Sequence, residues 1–466
     1  MKYISTRNSN LSLGFCDTIL SGLAEDGGLY MPKYNPYFSE QDIRSLRGLS
    51  YEEIALHVIR PFIGEEIRLN DIKTIINKAY SGFRHCAITP LIQLDHNNFL
   101  LELFHGPTLS FKDIAMQLIA GLIDHILEER DQYITIVGAT SGDTGAAAVN
   151  ALSDRKRINT FILFPKDRIS LVQQKQMTTS TASNIHIIAV DGSFDNCQKL
   201  VKDLFADVYF RNSINLSGIN SINWARIMAQ IVYYFVSAIA IGAPDRKVSF
   251  SVPTGNFGDI FAGYSAKVMG LPIEKLVIAT NDNDTLVRMF DKGLYKPEKV
   301  KRTTSPAMDI QVSSNFERLL FEISGRDPMI VKDSMDSLES KKYFQISPEH
   351  LQKISRVFFA KRSSTSDINN VIRYVLEKSN YLVDPHTAIG INAALACRNT
   401  PVPMITLATA HPAKFPDVVK YASDFSPYVP IFLEETMKKP EKFEVMHGDI
   451  EEIKKFITLK NNGDLN

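Results

Sequence analysis

The chemistry in this sequence starts at a lysine placed where a helix should begin. The stretch Leu103-Phe104-His105-Gly106-Pro107-Thr108-Leu109-Ser110-Phe111-Lys112-Asp113 breaks an apolar pattern with a Gly-Pro turn, and a periodic run follows (Ile114, Met116, Leu118, Ile119, Leu122, Ile123, Ile126). Ser110 stands as the expected N-cap, which puts Lys112 in the first turn. The helix dipole disfavours a cation there by up to about 1 kcal/mol, and the same field favours the neutral, nucleophilic amine. A lone lysine near a helix start is more often a solvated surface residue. The rest of the chain decides between the two.

Three loops offer partners for such a lysine. Gly138-Ala139-Thr140-Ser141-Gly142-Asp143-Thr144-Gly145 follows an apolar strand. It lacks both the Gly-Lys-Ser/Thr of a P-loop and the G-x-G-x-x-G of a dinucleotide site. It offers backbone N–H groups and hydroxyls at a helix start, which suit a carboxylate or phosphate. Pro253-Thr254-Gly255-Asn256-Phe257-Gly258-Asp259 follows a second strand, and its glycines let amides converge on a dianion. Two such loops on parallel strands belong at the carboxyl edge where α/β ligands bind. In the third, Leu407-Ala408-Thr409-Ala410-His411-Pro412, a strand ends on a hydroxyl that could meet a ring nitrogen; an N-cap threonine is the plainer reading. Asn220-Ser221-Ile222-Asn223-Trp224-Ala225-Arg226 opens the most apolar helix, with Asn220 or Ser221 as its cap. An arginine in its first turn needs an anion, either a ligand or an internal carboxylate. A lysine, two anion loops and a terminal hydroxyl together suit a phosphorylated aldehyde held as a Schiff base, and pyridoxal phosphate (PLP) fits.

The elements that must carry these loops alternate. Strands are expected at 133–137, 160–164, 185–190, 248–252, 276–280 and 403–408, with helices at 113–130, 143–153, 170–180, 194–209, 221–242, 257–269 and 284–292 between them. Short apolar strands alternating with helices predict mostly parallel sheets covered on both faces. Residues 1–100 read as a mixed, mainly helical segment, 101–240 as a smaller α/β domain, and 241–466 as a larger one with an irregular excursion at 293–345 that is partly helical at 313–324. Further helices are expected near 348–360, 366–379 and 386–397, and a polar tail from about 460.

Composition sets the outer limits. The chain has 466 residues, 44% hydrophobic and 22% charged, and a formal net charge of zero, so nucleic acid is not the expected partner. Four scattered cysteines without C-x-x-C argue against a disulfide framework or a zinc site and favour a reducing compartment. The polar start has no apolar signal region, and the apolar stretch 231–243 falls short of a membrane span. A soluble, cytoplasmic protein is expected.

The ordered motifs resemble the threonine synthases, in their bacterial and fungal branch. The resemblance rests on Ser5-Thr6-Arg7, Leu23-Ala24-Glu25-Asp26-Gly27-Gly28-Leu29, His105-Gly106-Pro107-Thr108, Ser110-Phe111-Lys112-Asp113, Thr140 to Gly145, Asn220 to Asn223, Pro253 to Asp259, Asp384-Pro385-His386-Thr387-Ala388 and Thr409 to Phe415. It implies a fold-type II PLP enzyme, similar to the tryptophan synthase β subunit, acting as a monomer or homodimer. It implies that Lys112 carries the cofactor and shuttles protons, and that Gly255, Asn256, Phe257, Gly258 and Asp259 hold the cofactor phosphate. Thr409 would bond the ring nitrogen, and Ser141, Gly142, Asp143 and Thr144 would receive the substrate carboxylate. Asn220, Ser221 and Arg226 would face the substrate phosphate. The implied reaction converts O-phospho-L-homoserine and water to L-threonine and phosphate, by elimination across Cβ and Cγ followed by hydration. A phospholyase that releases α-ketobutyrate, or a binding protein without chemistry, would share most of these motifs.

Overall fold

The structure, a computed structural model, describes residues 1–218, 222–397 and 401–463. Its contacts group the chain into two compact units, Met1–Gly106 with Ser221–Pro427, and Pro107–Asn220 with Tyr428–Asn466. These boundaries differ from the three consecutive segments expected from sequence, for reasons of strand and helix pairing. The strand Asn98–Glu102 lies beside Met404–Ala408 in parallel register, so the first hundred residues complete the larger unit's sheet. The apolar helix Trp224–Ala240 packs on helices Tyr51–Ile63 and Gly258–Val268 of that same unit. The strand Glu444–Met446, from the far end of the chain, pairs with Ile185–Val190 in the smaller unit.

The larger unit is built on six strands in the order Phe358–Arg362, Ile273–Thr280, Val248–Pro253, Met404–Ala408, Asn98–Glu102 and Leu91–Gln93. All neighbours are parallel except the last pair, which is antiparallel. Ser251 stands opposite Thr406, so Thr254 and Thr409, three residues further on, leave adjacent strands at one carboxyl edge. The helix Trp224–Ala240 is buried along nearly its whole length, which its run of Ile227, Met228, Ile231, Val232 and Phe235 requires.

The smaller unit holds five strands, Glu444–Met446, Ile185–Val190, Ile158–Pro165, Ile134–Ala139 and Leu216–Ser217, all parallel. Val137, Phe161, Leu163, Ile188 and Val190 form its core with Leu200 and Leu204 of the helix Phe194–Ala206.

Within the amino-terminal segment, Tyr3–Ser5 runs between Ser12–Leu13 and Tyr30–Pro32 in a small antiparallel sheet. In the excursion, helices Phe316–Ile323 and Pro328–Lys341 are bracketed by paired strands Leu294–Tyr295 and Phe344–Gln345. One expectation needs correction: the helix expected to 360 ends at Ser355, and Phe358–Arg362 is an edge strand paired with residues 276–280. No helix among the described residues is long and apolar enough to cross a membrane.

Candidate active site

In the smaller unit, Lys112 is the first residue of the helix Lys112–Arg130. Ser110 does not act as the N-cap proper; Phe111 holds that position, and the Ser110 hydroxyl accepts the Lys112 N–H at 3.3 Å. Asp113 locks the preceding turn, accepting the Thr108 N–H at 2.8 Å and its hydroxyl at 2.6 Å. Lys112 is buried, and its Nζ lies 3.6 Å from Asp143 Oδ2 and 4.8 Å from the centre of the Phe111 ring. The expected helix-start field therefore does not act alone on the amine, because a carboxylate stands beside it.

The loop after Ile134–Ala139 has its own internal order. The Thr140 hydroxyl oxygen accepts the N–H of Gly142 at 3.0 Å and of Gly145 at 2.9 Å. Two of the amides that sequence offers to an anion are thus already used. Asp143 opens the helix Asp143–Leu152 and turns its carboxylate to Lys112 and to Gln173 Nε2 at 2.9 Å. Its side chain is not aimed at a carboxylate ligand, and only its backbone N–H could serve one. Ser141 is exposed and Thr144 half-buried, so both hydroxyls remain accessible.

In the larger unit, the loop Thr254–Phe257 joins the strand Val248–Pro253 to the helix Gly258–Val268. Its carbonyls are tied back: Ser313 Oγ donates to Gly255 O at 2.6 Å, while Asn315 donates to Asn256 O from N at 3.1 Å and from Nδ2 at 3.0 Å. In a trans peptide the N–H points opposite its C=O. The N–H groups of Asn256 and Phe257 therefore face away from Ser313 and Asn315. Phe257 adopts φ 65°, a left-handed turn held by burial of its ring against Phe316. A Cβ on Gly255 would stand 2.9 Å from Ala307 O, so only glycine fits there. Two oriented amides at the start of an eleven-residue helix form a seat that fits a phosphate such as that of PLP.

The Asp259 side chain is engaged away from the loop. Its carboxylate accepts hydrogen bonds from the Tyr233 and Tyr234 hydroxyls, and burial with that negative charge holds both phenols well above their ordinary range. The side chain anchors the helix and is not turned to a phosphate. Thr409 is buried one residue beyond the strand Met404–Ala408, on the edge it shares with Thr254.

Arg226 is the third residue of the helix Trp224–Ala240, and Asn223 caps that helix by accepting the Ala225 N–H at 3.0 Å. The expected caps, Asn220 and Ser221, lie outside the described residues. Arg226 is 5% exposed, its Nη1 has no hydrogen-bond partner among the described residues, and burial pushes it down to about 10. Among the described residues no carboxylate pairs with it, so the internal salt bridge is not what holds this charge. Trp224 is a core residue between Tyr3 and Phe62.

The motif histidines are held as positioning groups. His105 Nε2 lies 2.7 Å from Glu102 Oε2, whose other oxygen accepts the Tyr381 hydroxyl. Burial raises Glu102, but these two bonds outweigh it and hold the carboxyl below its ordinary range. His386 Nδ1 lies 2.7 Å from Asp384 Oδ2, and His411 Nδ1 accepts the Ala413 N–H at 3.1 Å. Sequence reasoning missed Gln173, Ser313 and Asn315, which act from elements distant in sequence and carry no local signature.

Comparisons with known proteins cover nearly the whole chain. Family models match as Threonine synthase N terminus over residues 2–80, Pyridoxal-phosphate dependent enzyme over 83–402, and Threonine synthase, C-terminal over 387–457. The chain is 46% identical over 464 residues to the threonine synthase of Pseudomonas aeruginosa, covering 99% of each. A crystal structure of PLP-bound threonine synthase from Brucella melitensis superposes with a TM-score of 0.97 at 53% identity, covering 99% of each chain. The yeast threonine synthase structure superposes at 0.95 with 40% identity, again over 99% of each chain.

Proposed function

The chain belongs to the threonine synthase family of PLP-dependent enzymes, and from that premise we propose that it converts O-phospho-L-homoserine and water to L-threonine and phosphate. The observation that carries the reading is the loop Gly255–Phe257, whose carbonyls are tied to Ser313 and Asn315 so that its amides are free for a phosphate. PLP, when bound, supplies an electron sink for negative charge developing at the substrate carbons.

The backbone of Gly255, Asn256, Phe257 and Gly258, with the N–H of Asp259, holds the cofactor phosphate. The Thr409 hydroxyl bonds the ring nitrogen, and a hydroxyl there restrains the sink more than a carboxylate would. Lys112 would anchor the cofactor and give way to the substrate amine. The freed Nζ then takes the proton from substrate Cα and returns protons as the reaction proceeds. The Ser141 and Thr144 hydroxyls and the Asp143 N–H receive the substrate carboxylate, while Gly142 supplies the turn that presents them. Arg226, with Asn220 and Ser221 beside it in sequence, grips the substrate phosphate and takes up charge as that group leaves Cγ. Loss of a Cβ proton accompanies that departure, a proton returned to Cγ makes the methyl group, and water then adds at Cβ with the released phosphate as its base.

Borohydride reduction of the PLP-loaded protein, followed by peptide mass analysis, tests the anchor. The added mass is expected on the peptide that contains Lys112. A mass on any other lysine overturns the site.

A further inference from the structure

Behind Lys112 the smaller unit carries a relay of side chains that the reaction so far does not use. Lys112 Nζ lies 3.6 Å from Asp143 Oδ2, Asp143 Oδ1 accepts Gln173 Nε2 at 2.9 Å, and Gln173 Oε1 accepts the Ser170 hydroxyl at 3.1 Å. Lys112, Asp143 and Gln173 are 9%, 6% and 4% exposed, so the interactions work with little solvent screening. The backbone is shaped to admit the relay. Gly142 has φ +142°, and a Cβ there would stand 2.4 Å from Gln173 Cδ. The neighbouring carboxylate, Asp113, is committed to Thr108.

We propose that Asp143, oriented by Gln173, is the positioning residue of Lys112: it fixes the direction of Nζ and stabilises positive charge on that nitrogen. This gives the Asp143 side chain a task separate from that of its backbone N–H, and it rests on the reading that Lys112 carries PLP. An opposite charge this close favours the charged form of a nitrogen, and a hydrogen bond donated to the carboxylate keeps the carboxylate ionised. The residue acts through Lys112, so its signature is a titration and not a rate.

The test is a pH titration of the visible absorbance of PLP-loaded protein, without substrate, after reduction mapping has located the cofactor on Lys112. Asp143→Asn is expected to lower the midpoint by about 1–3 pH units. If wild type shows no midpoint between about pH 6 and 10, the substitution is expected to bring one into that window. Gln173→Ala leaves the carboxylate but frees it, and a smaller shift in the same direction is expected; it also serves if Asp143→Asn does not fold. Asp143→Glu is expected to restore part of the shift. Superimposable curves for wild type and these variants, all loaded at Lys112, overturn the inference and leave the anchor standing. A wild type loaded on a different lysine overturns both.

Discussion

Arg226 is a guanidinium sealed inside the larger unit, and no carboxylate among the described residues pairs with it. Burial holds it down to about 10, against a small opposing contribution from Tyr233. A protein keeps such a group at the expense of stability, so function and stability should separate at this residue. Arg226→Met removes the isolated charge while keeping much of the volume. It is expected to raise the urea midpoint by an amount worth about 1 kcal/mol or more. Arg226→Ala is expected to weaken transition-state binding of the phosphorylated substrate by roughly 2–4 kcal/mol, about 30- to 1,000-fold in kcat/KM, with PLP still bound. Unchanged kinetics would take Arg226 out of the substrate site. The place of Lys112 at a helix start was legible in the sequence, from the Gly-Pro turn and the periodic run after it. Its pairing with Asp143 was not, because sequence spacing cannot say which way a carboxylate turns.

At the scale of elements, the phosphate seat depends on a segment that looked irregular. The loop Gly255–Phe257 follows its strand as a glycine-rich turn should, and this much could be read directly. Its orientation comes from Ser313 and Asn315, near sixty residues later in the chain. That support was not legible, because hydrogen bonds between distant loops leave no periodic trace. Removing it should loosen the seat without touching the anchor. Asn315→Ala removes the Nδ2 bond to the Asn256 carbonyl, leaves the backbone one in place, and also strips Arg318, which bonds Asn315, of a partner. The variant is expected to release PLP faster, measured as loss of visible absorbance during gel filtration, while borohydride mapping still finds Lys112. Retention equal to wild type would show that the glycines alone shape the loop. The edge strand Phe358–Arg362 was misread for a related reason. Its Phe-Phe-Ala run is too short to show a period, and pairing with Ile273–Thr280 decided its state.

For the whole molecule, alternating strands and helices announced parallel sheets, but the course of the chain between units could not be read from periodicity. Strand pairing across hundreds of residues, such as Asn98–Glu102 with Met404–Ala408, set it. Global stability carries a pH signature from the same edge. Burial, aided by the nearby His105, pushes His411 from 6.5 down to about 4. The unfolded chain binds this proton first, so the residue's contribution favours folding above 6.5 and is lost as pH falls from there toward 4. His411→Asn keeps an acceptor for the Ala413 N–H and is expected to flatten the stability–pH curve in that window, as followed by urea midpoints. An unaltered slope would place the effect on other groups.

The central claim is that Lys112, the Gly255–Phe257 loop, Thr409 and Arg226 serve one reaction that ends in hydration. Product analysis of the purified, PLP-loaded protein with O-phospho-L-homoserine tests it most directly. L-threonine and phosphate in equal amounts, both abolished in Lys112→Ala, is the predicted result. Phosphate accompanied by α-ketobutyrate and ammonia, with no threonine, would contradict it.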